Sequence, residues 1–138
     1  MGALTTIPTV TVGNATKKSD YDNLVNLATF GATVDGSSGI TLTTSQIGMT
    51  VIVNSSSDRT VNLPSVDSSH IGATFTIWKL GAGKVTIDAA DSDTIMDSSA
   101  GGTISNSAST EIWACIKLRL ETATQWGIQG GVGTWTTT

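Results

Sequence analysis

From residue 37 onward the chain reads as short runs of alternating apolar and polar residues, separated by serine, asparagine, aspartate and glycine. "ITLTTS" (40–45), "MTVIVNSS" (49–56) and "RTVNLPS" (59–65) come first, with Val61 and Leu63 on one side and Pro64 closing the third run. In the stretch 72–96, Phe75 and Ile77 alternate with Thr74, Thr76 and Trp78, and Val85 and Ile87 alternate with Lys84, Thr86 and Asp88. Apolar positions at every second residue suit a half-buried strand, whose successive side chains point to opposite faces. Gly81-Ala82-Gly83 between these two runs predicts a hairpin turn. "GGTISNSAST" reads as a loop or weak strand, and "EIWACIKLRLE" (111–121) as the clearest strand. In the latter, Ile112, Ala114, Ile116, Leu118 and Leu120 form one face, and Trp113, Cys115, Lys117, Arg119 and Glu121 the other. No repeat with a period of 20–50 residues stands out. Strands about ten residues apart with turn signals between them predict an all-β fold, a compact antiparallel sandwich or roll.

The N-terminal part has a different pattern. Residues 1–18 are extended in character and uncharged until Lys17, with Pro8 unable to donate to a strand ladder, so they read as an arm. "SDYDNLVNLATFG" then predicts one short helix. Ser19 suits the cap, Asp20 and Asp22 favour the positive end of the helix dipole, and Gly31 suits the stop. Tyr21, Leu24, Val25 and Ala28 fall on a single stripe. A three-turn helix is unstable alone in water, so this stripe must dock, and its four residues are the candidate docking positions. The expected division is an arm and helix over 1–36 and a β-rich, self-associating domain over 37–138.

Composition narrows the function. Serine and threonine make up roughly three residues in ten, whereas aromatics are 5% and charged residues 13% of 138. Net charge is −4 and the seven basic residues are scattered, which argues against binding a phosphate backbone. No apolar run approaches the ~20 residues of a membrane-crossing helix. The start has no basic and apolar leader pattern. "MGALTT" fits the loose myristoylation pattern, but one acyl chain without a basic patch anchors poorly. Cys115 is the sole cysteine, so no internal disulfide framework is expected and synthesis in a cytoplasm suits the chain.

Reactive chemistry is hard to find. "GAGKV" lacks the upstream glycine and the Ser/Thr after lysine that a phosphate-binding loop requires. Asp88, Asp91 and Asp93 are the nearest approach to a metal set, but without EF-hand spacing they read as a solvated acidic turn. His70, the one histidine, sits in the polar turn "SVDSSHIG" with no flanking nucleophile or orienting acid. Glu111 and Glu121, at opposite ends of one strand, would be about 34 Å apart, too far to share a glycosidic bond. The reading is therefore a protein without catalytic residues or cofactor. The tryptophans remain. Trp78 and Trp113, with Cys115, fall opposite the aliphatic faces of their strands, and a second apolar face calls for cover by another subunit. Trp126 and Trp135, in the glycine-rich tail, are the candidates for stacking on sugar rings.

"TVNLPSVDSSHIGATFTIWKLGAGKVTIDAADSDTIM" resembles a segment of structural proteins of tailed bacteriophages. There a strand ending in "LP" leads to Gly72, Phe75, Ile77, Lys79 and Gly81, then Val85-Thr86-Ile87 and Asp93-Thr94-Ile95. "TQWGIQGGVGTW" is similar to the tail of such modules, and "ATKKSDYDNLVNLATF" to N-terminal docking segments of virion proteins. The resemblance implies a homotrimer on the virion surface, bound to a major capsid or other virion protein. The expected role is a capsid decoration (cement) protein, because neither coiled-coil heptads nor shaft repeats provide the reach of a fibre. A head or tail fibre component, or a tip that binds host glycans, is the alternative.

Overall fold

The computed structural model describes residues 32–138. The arm, the expected helix and its docking stripe of Tyr21, Leu24, Val25 and Ala28 lie outside the described residues.

Two sheets carry the fold. The six-stranded sheet has the order β1 (Thr33–Asp35), β3 (Thr50–Val53), β5 (Thr74–Lys79), β9 (Ala114–Thr122), β10 (Gln125–Val132) and β7 (Thr94–Ile95). The five-stranded sheet has the order β11 (Thr136–Thr137), β8 (Thr103–Asn106), β6 (Val85–Asp88), β4 (Arg59–Asn62) and β2 (Ile40–Thr41). Through β8 the chain alternates between the sheets, each strand lying in the sheet its predecessor did not enter. All-β is right, but the pairing departs from the expected antiparallel arrangement. β1, β3 and β5 run parallel, as do β2, β4 and β6. Antiparallel pairs begin at β5–β9 and β6–β8 and continue with β9–β10 and β8–β11. Such winding stacks one coil of chain on the next, and β1 already belongs to it although it precedes residue 37.

The hairpin expected between β5 and β6 is absent, since these strands lie in different sheets. Gly81 and Gly83 serve another purpose. A side chain at either would fall inside the backbone of Ser55 or Ser57, in the turn of the preceding coil. Turn lies directly on turn: Leu80 N–H donates to Val53 C=O at 2.8 Å and Gly83 N–H to Ser55 C=O at 2.9 Å. Asp58 adds a carboxylate acceptor for Lys84 N–H, also at 2.9 Å.

The coils also share a corner that the sequence reading missed. Ser45-Gln46-Ile47-Gly48 and Ser69-His70-Ile71-Gly72 each end a single 3-10 turn, at Thr44–Gln46 and Ser68–His70. Gln46 Oε1 accepts Thr43 N–H at 2.8 Å, and His70 Nδ1 faces Asp67 N–H at 3.3 Å. The glycines take φ of 84° and 93°, a left-handed conformation that favours glycine. A strand follows each, at Thr50 and Thr74. The sole histidine is thus part of a corner.

Inward residues of both sheets form one buried cluster: Val51, Val53, Phe75, Ile77, Ile116, Leu118 and Leu120 from the larger sheet, Val61, Val85, Ile87 and Ile104 from the smaller. Faces were read correctly for β5, β6 and most of β9. Ile112 is the exception: it is exposed because β9 begins only at Ala114.

Candidate functional site

Register places four apolar side chains side by side on the outer surface of the six-stranded sheet. Ile52 pairs with Trp78, Trp78 with Cys115, and Cys115 with Val132. Their neighbours along the strands, Val51, Val53, Ile77 and Ile116, are buried in the core, so this row points away from it. Ile52, Trp78 and Cys115 are half-buried, and Val132 is 63% exposed. The following rows change character. Thr50, Thr76, Lys117 and Gly130 form the next, and Thr74, Arg119 and Gly127 the one after, where Arg119 pairs with Glu121 at 2.6 Å. The apolar surface is therefore confined to one end of the sheet.

Trp113 sits at that end of the sheet, just before β9. The residue is 63% exposed and its backbone has φ 72°, a region bulky residues rarely occupy. Such strain persists only where the surroundings hold it. Lys79 supplies much of that hold. Its ammonium group is fully buried and donates to Ala108 C=O at 2.9 Å and Glu111 C=O at 3.3 Å, fixing the loop before Trp113. Its own C=O accepts Trp113 N–H at 2.8 Å. The Glu111 carboxylate ties the same loop to the chain after β10, accepting Thr134 N–H at 2.7 Å, Thr134 Oγ1–H at 2.8 Å and the Asn106 amide at 2.5 Å. These bonds, Thr134 N–H first and the Lys79 charge last, hold the Glu111 carboxyl below its ordinary pKa.

Of the expected interface residues, Trp78 and Cys115 lie together in the row, whereas Trp113 leaves the strand it was expected to join. The sugar-stacking pair divides. Trp126 is fully buried, its ring centroid 5.8 Å from that of Phe75, which leaves no face for a ligand. Its indole N–H has no partner among the described residues. The β9–β10 register sets this burial, since it places Trp126 opposite the core residue Leu120. Trp135 is half-buried against the core margin, its indole N–H shared between Cys115 C=O at 3.2 Å and Val132 C=O at 3.1 Å.

The acidic turn does not assemble a metal set: no group of three or more His, Cys, Asp or Glu among the described residues could hold an ion. Asp88 ends β6, half-buried, and Asp91 accepts Ser65 Oγ–H at 2.5 Å. Asp93 is buried, and its Oδ2 has no partner among the described residues. Burial, and secondarily the charge of Asp91, pushes the Asp93 carboxyl above its ordinary value.

The five-stranded sheet presents a contrasting outer surface. Thr60, Thr86, Ser105 and Thr136 form one row, and Thr41, Asn62, Asp88 and Thr103 the next. Hydroxyl, amide and carboxylate groups there are already suited to water. Of the two outer surfaces, the larger sheet's carries the unmet apolar area. No family model matches the chain, and no curated protein matches it.

Proposed function

We propose that the protein is a non-enzymatic virion structural component of a tailed bacteriophage, a two-layer β-sandwich that assembles as a homotrimer and decorates the capsid surface. The apolar row Ile52–Trp78–Cys115–Val132, with Trp113 beside it, carries the self-association. Ile52, Trp78 and Cys115 are already half-buried, so a subunit contact gains about 25 cal/mol for each Å² of remaining apolar surface that it covers. A polar counterpart on the other sheet gives the subunit one sticky side and one wet side, which suits a particle surface. The phage assignment rests on the sequence resemblance over residues 60–96 and on the tail segment. Residues 1–31, which precede the strands of the fold, act as the fastener to the shell. A decoration subunit needs no chemistry: by binding the mature lattice in preference to other states it stabilises that lattice through linkage.

Light scattering on the purified full chain is the first test, with a mass of three chains expected. Incubation with undecorated capsids, followed by electron microscopy, tests the seat on the shell. Deleting residues 1–30 is expected to abolish docking while the β domain still associates. A single-chain mass at tens of micromolar, or capsids left bare by the full chain, would overturn the reading.

A receptor-binding tip is the second reading, and the exposed ring of Trp113 favours it. A glycan array decides between the two: reproducible sugar binding that disappears in Trp113→Ala would move the assignment to receptor recognition.

A further inference from the structure

Among the described residues, the six-stranded sheet ends in an edge that lacks the usual protection. β7 pairs with β10 only at Gln125 and Trp126. Beyond it, Gly127–Gly131 has no backbone partner on the side away from β9, among the described residues. Natural edge strands are guarded by charges, prolines or a covering element. "GIQGG" has no charge and no proline. Ile128 lies in register with the core residue Leu118 yet is 37% exposed. A side chain starting at Gly130 would meet nothing within 4 Å. Among the described residues, the core margin and the ladder are open together at this edge.

We propose that residues 9–12 of a neighbouring copy of this chain add as a strand to Gly127–Gly131. The proposal rests on the self-association reading. Thirty-one residues precede the described ones, and they join the fold at β1, the opposite edge of the same sheet. Four strand spacings separate the two edges, about 19 Å. Between Val12 and Ala32 the chain has 19 residues, able to span roughly 60 Å when extended, so reach is not limiting. A closed head-to-tail contact joins unlike surfaces, so the N-terminal segment of one copy and the β10 edge of the next can pair around a ring. Thr9-Val10-Thr11-Val12 matches the edge in chemistry: uncharged, alternating, bounded by Pro8 and Gly13. Val10 and Val12 share one face and cover Ile128, while backbone bonds to the glycine-rich edge supply affinity, as in other strand additions.

Two full-length variants provide the test, one with Val10→Cys and the other with Ile128→Cys; Cys115 is kept because it belongs to the apolar row, and products are mapped by mass spectrometry so that links through its thiol are set aside. They are mixed during refolding and treated with a short bismaleimide. A covalent product of one chain of each kind is expected from the mixture and from neither variant alone. Amide exchange supplies the second measurement. Val10→Lys and Ile128→Lys are each expected to accelerate exchange at 127–131 at least tenfold while β5 and β9 keep their protection. Absence of the mixed product, or fast exchange at 127–131 in the unsubstituted chain, overturns the proposal. A cross-link confined within single chains, found in the Val10→Cys/Ile128→Cys double variant, overturns it also. Light scattering on the same samples separates the two failures. A trimer without mixed product sinks only the strand addition, and a single-chain mass sinks the self-association reading beneath it.

Discussion

Lys79 holds Trp113 from two directions: its C=O accepts the Trp113 N–H at 2.8 Å, while its buried ammonium binds the Ala108 and Glu111 carbonyls just upstream. The strained turn that displays the indole is thus anchored in the core. Lys79→Met keeps the buried stem but removes the donor. Leaving those carbonyls without it costs about 1–3 kcal/mol. Chemical denaturation should register that loss, and hydrogen exchange should accelerate over residues 107–113 while β5 stays protected.

Trp113 separates stability from association. An exposed substitution normally changes stability by within about 0.5 kcal/mol. At φ 72° glycine avoids a steric cost that alanine retains. Trp113→Gly is therefore expected to be at least as stable as Trp113→Ala, the reverse of the usual order. Both variants should weaken oligomerisation at least tenfold by sedimentation equilibrium.

Glu111 makes the loop sensitive to acid. Its pKa is lowered in the folded state by Thr134 N–H, Asn106, Thr134 Oγ1–H and Lys79, so its stabilising effect is complete above the unfolded carboxyl value. That effect is lost as pH falls through the folded one. Glu111→Gln should melt lower than the parent at pH 7, with the two melting curves converging toward pH 3.

Asp93 has the opposite sign. Its folded pKa lies above the unfolded value, so the folded state binds the proton more tightly. Stability is greatest below the unfolded pKa and declines as pH rises through the folded one. Asp93→Asn removes the buried charge. Its melting temperature should exceed the parent's at pH 7, and the gain should vanish as both are taken to pH 3.

Gly83 tests the stacked turns. A side chain there meets the Ser57 carbonyl, which is backbone and cannot swing aside. Gly83→Ala should cost about 1–3 kcal/mol through the strain of overpacking. In a hairpin turn facing solvent the same change would be tolerated, so urea denaturation distinguishes the two geometries.

Strand faces were legible in the sequence. Phe75 and Ile77, Val85 and Ile87, and Ala114, Ile116, Leu118 and Leu120 are buried as their alternation required, because a period of two assigns every residue to one side or the other. Alternation is silent about neighbours, however, and the same faces serve a parallel or an antiparallel ladder. The glycines of "GAGKV" look alike in a hairpin and in a turn pressed on another turn. One signal was present and went unread: the matching "SQIG" and "SHIG", which recur 24 positions apart (48 to 72) and mark successive corners.

The apolar patch was half legible. Trp78 and Cys115 could be assigned to an outward face from their strands alone. Their union with Ile52 and Val132 needed the register of four strands, two of them distant in the chain. Trp126, expected to be open to a sugar, is buried, and Trp113, expected on the outer face of β9, precedes that strand, both for a similar reason. Composition makes both rings large and apolar, but which is enclosed depends on the sheet opposite and on the backbone angle that starts β9. By itself, then, the sequence determined the all-β class and the sidedness of its strands, since these follow from local periodicity. Tertiary structure decided the order of the strands, the stacked turns and the outward row. Those depend on contacts between residues far apart in the chain, which no local pattern encodes.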